Sequence, residues 1–241
     1  MKLAEIFTQL AVGEFSQLAL GGNGSGVLPE ETYPKVIPHV NLGLTALYKR
    51  FPLKEGSVSL QMVAGRNTYP LKVAYAVANR RSREATRFIL DSTDYPFIED
   101  VLKIERVYNT LGKEMGLNDE SDADSCFTPT ATTLKVPNSL IEVPTPGVIR
   151  VVYRANHEKI VMGLTSFDPT RVEVELPDSH LEPLLYYIAS RVHNPIGLSN
   201  EFHAGNNYAA KYEASCLELE TKNLRVDQGS QNTRLERNGW V

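Results

Sequence analysis

The sequence predicts an α+β protein in which helices from both chain ends form an antiparallel bundle and a small antiparallel β domain is inserted between them. Near both ends, apolar residues recur every three or four positions, which is the period of a helix. Between residues 55 and 176 they recur every second position, which is the period of a half-buried strand. Neither terminal helix pair can bury its apolar stripe alone, so we expect the two ends to pack together.

Residues 1–54 are predicted to form the first two helices. Over residues 3–19, the apolar residues of one helical face are Leu3, Ile6, Phe7, Leu10 and Ala11. A glycine-rich connector at 21–26 follows, and it lacks the lysine of a phosphate-binding loop. The second helix is expected from Tyr33 to Arg50, with Pro34 in the first turn, where proline is tolerated.

Residues 55–176 are predicted to form the inserted β domain, because short alternating segments are separated by turn residues. The expected strands cover 58–62, 69–77, 87–90, 101–107, 133–136, 148–153 and 172–176.

Residues 177–226 are predicted to return to helix. Ser179 and Glu182 have capping-box spacing ahead of an apolar stripe that runs to Val192. A break at 193–197 precedes a second helix, expected from Ser199 to about Leu224. Residues 227–241 are polar apart from Trp240 and Val241 and are predicted to form an extended tail.

The composition restricts the class of function. The chain has 241 residues, of which 42% are hydrophobic and 22% charged, so a folded core is expected. Its net charge of -4 argues against nucleic-acid binding as its main role. No signal peptide or membrane span is expected, and the protein is predicted to be cytoplasmic or part of a cytoplasmic assembly. Cys126 and Cys216 match no zinc or redox spacing and are expected to be free thiols.

Three patterns leave other functions open. His193, His203 and Glu201 could meet as metal ligands, which would suit a metal-dependent hydrolase. The acidic stretch 118–124 suggests a cation, although it lacks the glycine and final glutamate of a calcium loop. The basic run from Arg80 to Arg87 could contact nucleic acid, or more plausibly another subunit. We predict no catalytic residue, no cofactor and no metal site.

The C-terminal helical region resembles a known family. Residues 184–197 (LLYYIASRVHNPIG) and 201–212 (EFHAGNNYAAKY) resemble the paired C-terminal helices of head-to-tail adaptor proteins of tailed bacteriophages. The segments 101–108, 133–137, 147–154 and 173–177 resemble strands of the β insertion in the short-tailed-phage versions of this family. The resemblance covers most of the chain in order, but it lies in layout and local sequence and includes no catalytic motif.

This resemblance implies a virion structural protein without enzymatic activity. It implies a ring, expected to have twelve subunits, which connects the portal protein to the tail or nozzle. Such a ring extends the DNA channel, with DNA only as passing cargo and no membrane contact. The protein would be made in the host cytoplasm and located in the virion neck. Another neck protein or a tail-tube protein remains an alternative.

We also predict which residues make these contacts. The expected portal-contact residues are Arg225, Arg234, Arg237, Trp240 and Val241. The expected subunit-interface residues are Tyr187, Phe202, Tyr208, Arg81 and Arg83.

Overall fold

The computed structural model describes residues 1–16, 18, 26–141, 147–163, 167–193 and 199–222, with 199–203 described by their backbone alone. These residues form four α-helices and seven β-strands. The helices are α1 (Leu3–Val12), α2 (Tyr33–Arg50), α3 (Leu181–Val192) and α4 (Ser199–Thr221). The strands are β1 (Glu55–Gln61), β2 (Thr68–Pro70), β3 (Ile89–Leu90), β4 (Val101–Tyr108), β5 (Phe127–Thr130), β6 (Thr133–Lys135) and β7 (Val148–Ala155).

The described strands make two antiparallel sheets, which confirms the predicted α+β class. One sheet has the order β3-β1-β7-β4, and the other has the order β2-β6-β5. The two sheets share one apolar core. Along β1, Val58 and Leu60 point into this core while the more exposed Ser57 and Ser59 point away, as the two-residue period requires.

A second apolar core lies between the helices and receives side chains from both chain ends. The helical residues buried in it include Ile6, Leu10, Val36, Val40, Leu44, Leu47, Leu184, Ile188, Cys216 and Leu219. Three residues from the predicted β range, Ile160, Val174 and Leu176, also belong to this core.

Polar contacts join the sheet to α2. Arg154 forms an ion pair with Glu105 at 2.8 Å and donates from Nη1 to the carbonyl of Lys49 at 2.7 Å. Just after β7, the ring of His157 lies 3.0 Å from the Asn41 carbonyl and 3.1 Å from the Thr45 hydroxyl. The exit from the sheet is therefore fixed against the middle of α2.

The first helix is shorter than the predicted 3–19. It ends at Val12, and Gly13 and Phe15 donate their N–H groups to the carbonyls of Gln9 and Leu10. The apolar spacing continued to Phe15, but the chain turns at the glycine, which is a poor helix former.

The predicted strand over 69–77 is wrong after Pro70. Residues Val73–Tyr75 form a 3-10 turn, and the Tyr75 ring stacks on Phe88 with centroids 4.7 Å apart. The guanidinium of Arg66 lies 4.4 Å from the centre of the Phe88 ring. Beyond Pro70 the pairing is limited to a bridge of Ala76 with Ile89, and the Tyr75 position of the predicted alternation is explained by aromatic packing on Phe88.

The strand predicted at 172–176 joins neither sheet, and the segment makes only a single antiparallel bridge, between Glu173 and Lys2 at the start of the chain. Leu3 donates its N–H to the Val172 carbonyl, and Val174 donates to the Met1 carbonyl. Val174 and Leu176 alternate because they reach the helical core. The prediction also missed β5, a polar strand with a proline at 129.

The capping box predicted for α3 is wrong. His180 is the N-cap, and the Ser179 hydroxyl lies 3.0 Å from the Nδ1 atom of His180. A 3-10 turn over Asp178–His180 occupies the place where the box would form.

Gly56→Ala is expected to destabilise the sheet core. A Cβ at this position would lie 2.5 Å from Cζ of Tyr153, whose buried ring is fixed by a hydrogen bond from its hydroxyl to Asp100. We expect the free energy of unfolding in urea to fall by about 1–3 kcal/mol. Ser57→Ala, at an exposed neighbouring position, should change it by less than about 0.5 kcal/mol. Equal stability of Gly56→Ala and the wild type would contradict the close contact with Tyr153.

Candidate interaction surfaces

Aromatic side chains hold α4 against α3. The rings of Tyr187 and Tyr212 meet edge to face with centroids 5.3 Å apart. His193 stacks on Tyr208 at 5.2 Å, and Tyr186 lies 6.2 Å from the same ring. Tyr187 and Tyr208, two of the predicted subunit-interface residues, are therefore half-buried within the chain's own helix contact. The side chain of Phe202 lies outside the described residues.

An arginine fixes the far end of α4 to the end of α2. Arg50 lies 2.6 Å from a carboxylate oxygen of Glu213 and 3.0 Å from one of Glu220. The hydrogen bond to Glu220 raises the pKa of the Arg50 guanidinium. This contact places the end of α4 beside the segment that leads into β1.

Two alanines and a leucine lie on the outward side of α4. Ala210, Ala214 and Leu217 are four and three positions apart, so they lie on one side of the helix. All three are exposed, and Leu217 keeps 53% of its surface accessible. We call these three residues the α4 outer face.

A second exposed apolar surface lies beside α2. The side-chain amide of Asn41 donates to the Ile160 carbonyl at 2.9 Å and accepts from its N–H at 3.0 Å. This places the chain after Ile160 next to Leu42. Leu42 is 52% exposed and Val161 is 77% exposed. We call Leu42, Val161 and the neighbouring Met162 the α2 patch.

A groove of about 710 Å³ lies at the edge of the four-stranded sheet. Residues 56–59 of β1 form one side of it and residues 90–98 form the other, with Lys54, Asp100 and Tyr153 also in its lining. We call it the edge groove. Asp91 fixes its outer wall, because its two carboxylate oxygens accept the N–H groups of Ala78 and Phe97 at 2.7 and 3.0 Å.

The basic run lies on a loop at the surface. Arg80, Arg81 and Arg83 are exposed, while the guanidinium of Arg87 donates to the Ser82 carbonyl at 3.1 Å. Arg81 and Arg83 can therefore reach another molecule, as a subunit-interface role would require.

The acidic stretch 118–124 bonds largely to itself. One oxygen of Asp119 accepts from the N–H and the hydroxyl of Ser121, which lowers the pKa of Asp119. Asp122 accepts from the N–H of Asp124, and Asp124 accepts from the hydroxyl of Ser139. Four oxygen contacts thus go to donors of the chain itself rather than to a cation.

The proposed ligands His193, His203 and Glu201 are only partly described. His193 lies 3.1 Å from the Glu14 carbonyl through Nε2, and the side chains of the other two lie outside the described residues. In the part of the chain that the structure describes, no three His, Cys, Asp or Glu side chains form a group that could hold a metal ion.

No protein-family model matches this chain, and no curated protein matches it at a significant level. None of the described helices is long and apolar enough to cross a membrane.

Sequence reasoning missed two of these features. The edge groove forms because the chain leaves the sheet after two residues of β3, and no motif marks that point. Burial of His157 lowers its pKa, which suits its place between the sheet and α2, but an isolated histidine gives no sequence signal for such a contact. The portal-contact residues Arg225, Arg234, Arg237, Trp240 and Val241 all lie outside the described residues.

Arg50→Gln is expected to loosen α4. Arg50 and Glu220 are mostly buried while Glu213 is largely exposed, so we expect a loss of about 1 kcal/mol from the contact between α4 and α2. Hydrogen exchange of the amides in 204–222 should become faster, and Lys49→Gln at the exposed neighbouring position should leave it unchanged. Unchanged exchange in Arg50→Gln would mean that packing on α3 alone holds the helix.

Proposed function

We propose that this chain is a virion structural protein: the head-to-tail adaptor subunit of a tailed bacteriophage, of the short-tailed-phage type. It forms a ring of identical subunits, twelve in number, that connects the portal to the tail or nozzle and extends the DNA channel. It catalyses no reaction, and its place is the virion neck after synthesis in the host cytoplasm.

The observation that carries this proposal is that the helical half has two different exposed apolar surfaces. A ring is built from head-to-tail contacts, so each subunit needs two distinct surfaces that fit each other. The α4 outer face and the α2 patch meet this requirement, because one lies on α4, the other is made by α2 and the loop beside it, and both expose aliphatic side chains. In the ring, the α4 outer face of one subunit packs on the α2 patch of the next.

The shape of the α4 outer face suits a helix contact. Two of its three residues are alanines, so a neighbouring backbone can approach closely. Leu217 supplies the larger apolar side chain that can fill a hollow in the partner. Arg81 and Arg83 add polar contacts at the subunit boundary.

The finer architecture belongs to the same proposal. The four helices act as an antiparallel bundle built from both chain ends, and the β domain is an insertion. Residues 227–241 form an extended tail that reaches along the portal through Arg234, Arg237, Trp240 and Val241, and Arg225, just before the tail, adds a further portal contact. The net charge of -4 favours DNA as passing cargo, because a negative wall does not hold the phosphates.

The ring is tested by measuring particle mass with the portal protein of the same phage. The wild type should join the portal as a closed ring with matched stoichiometry, even if the free protein is a monomer. Leu217→Glu should prevent this, because it places a charge in each repeated subunit contact at a cost of about 2 kcal/mol or more. Leu111→Glu, in a turn where the side chain is 90% exposed, is the matched control and should assemble normally. A wild-type chain that stays monomeric and ignores the portal would rule out the adaptor role.

The tail is tested by deleting residues 227–241. The deletion removes none of the residues of either described core, so the fold should persist, as circular dichroism can show. Affinity for the portal should fall, because Trp240 and two arginines of the tail are lost. Unchanged portal affinity would remove the tail from the interface.

A further inference from the structure

The edge groove is bordered by β1, whose pairing with β3 ends at Ser59. In β1, Gln61 donates its N–H to the Phe88 carbonyl on the β3 side, and Ser59 pairs with Leu90. Residues of an antiparallel strand alternate the side to which their backbone groups point. The N–H and carbonyl of Ser57 therefore face this same side, two residues beyond the last pair with β3.

The chain after β3 turns away before it can reach Ser57. Asp91 donates its N–H back to the Ile89 carbonyl, and Ser92 donates to the Tyr95 carbonyl. Within the described ranges, no strand continues past Leu90 on this side of β1. The groove therefore leaves room for one more strand, which could pair with the N–H and carbonyl of Ser57.

The walls of this position define what fits. Tyr95 is 85% exposed, Ile98 60% and Leu90 41%, so the outer wall offers apolar surface. Asp91, Asp94 and Asp100 also line the groove, against a single lysine, Lys54, which is 3.1 Å from Glu175. An extended segment with both apolar and basic side chains matches these walls, as in other cases of strand addition.

Residues 223–241 have this chemistry. They contain three arginines at 225, 234 and 237, against Asp227 and Glu236, and apolar side chains at 224, 226, 235, 240 and 241. The stretch 233–237 (TRLER) places a leucine among basic and polar residues.

The same segment is long enough to reach the groove. It follows directly after α4, whose end is tied to Arg50 through Glu220. Lys54, in the lining of the groove, is only four residues beyond Arg50, or at most about 14 Å along the chain. The nineteen residues can extend to about 65 Å, while a five-residue strand needs about 17 Å.

We propose that in the free subunit residues 223–241 dock in the edge groove of their own chain as an added strand, which pairs with the backbone of Ser57 and places arginines near the groove aspartates. This docking does not depend on the adaptor role, and it holds for the chain alone. It is an intramolecular contact, so it is independent of protein concentration.

The decisive experiment is hydrogen exchange on the full-length chain, with Ser57→Pro compared with Ser57→Ala. Proline removes the N–H that the added strand needs, and this N–H does not pair with β7. Alanine keeps it. In the wild type and in Ser57→Ala, part of 223–241 should exchange at least about tenfold more slowly than an unstructured chain. In Ser57→Pro this protection should be lost, while the amides of β7 and α3 keep theirs.

A second pair of variants tests the docking from the side of the segment, where substitution cannot disturb either described core. Arg234→Glu with Arg237→Glu should reduce the protection at least about fivefold, because two carboxylates then face the groove aspartates. Arg234→Lys with Arg237→Lys keeps the charge and is the matched control. Trp240, the only tryptophan, gives an independent signal: its emission should shift to longer wavelength in Ser57→Pro and in the glutamate pair.

Three results would overturn the proposal. Residues 223–241 of the wild type could exchange at the unstructured rate. Their protection could survive in Ser57→Pro, which would place them elsewhere. Protection that disappears on dilution would instead assign the groove to the segment of a second copy.

Discussion

The apolar face of α2 is the contact on which the other elements depend. Phe7 of α1 lies against Tyr33 with ring centroids 4.9 Å apart, and Gly43 lies so close to α3 that a Cβ there would be 2.7 Å from Leu184. Arg50 binds α4, and the connection after the sheet returns to Asn41. Because α1, α3, α4 and the segment after the sheet all contact this one helix, α2 is buried by elements that lie far apart in the sequence. Local helix propensity contributes little by comparison.

The sequence was most informative where burial is one-sided and regular. The limits predicted for α2, residues 33 to 50, agree with the structure, because its stripe is long and Phe51-Pro52 ends it. β4 and β7 were also predicted to within two residues at each end. The predictions failed where an alternating pattern had another cause: aromatic stacking on Phe88, or contact of residues 172–176 with the chain start.

The sequence predicted the candidate surfaces less well than it predicted the fold. Tyr187 and Tyr208 were predicted to contact another subunit, and aromatic residues at helical spacing fit that role as well as they fit an internal contact. In the structure both rings take part in the contact between α3 and α4, and each also keeps part of its surface exposed. The sequence did not predict the α4 outer face, because alanines give no signal for either burial or exposure. The edge groove depends on where β3 ends. The turn at Asp91 sets that point, and no pattern of apolar residues predicts it.

The two-residue length of β3 leaves part of the neighbouring strand β1 open at its edge. An unpaired strand edge with apolar residues beside it can recruit the edges of other chains, and this is a common route to aggregation. The solubility of the isolated chain therefore depends on how this edge is covered. The residue at the open position is Ser57, which lacks the β-branched side chain that would favour pairing with another strand. A sheet left incomplete in this way is protected from edge-to-edge pairing only where another segment or another molecule covers the open position.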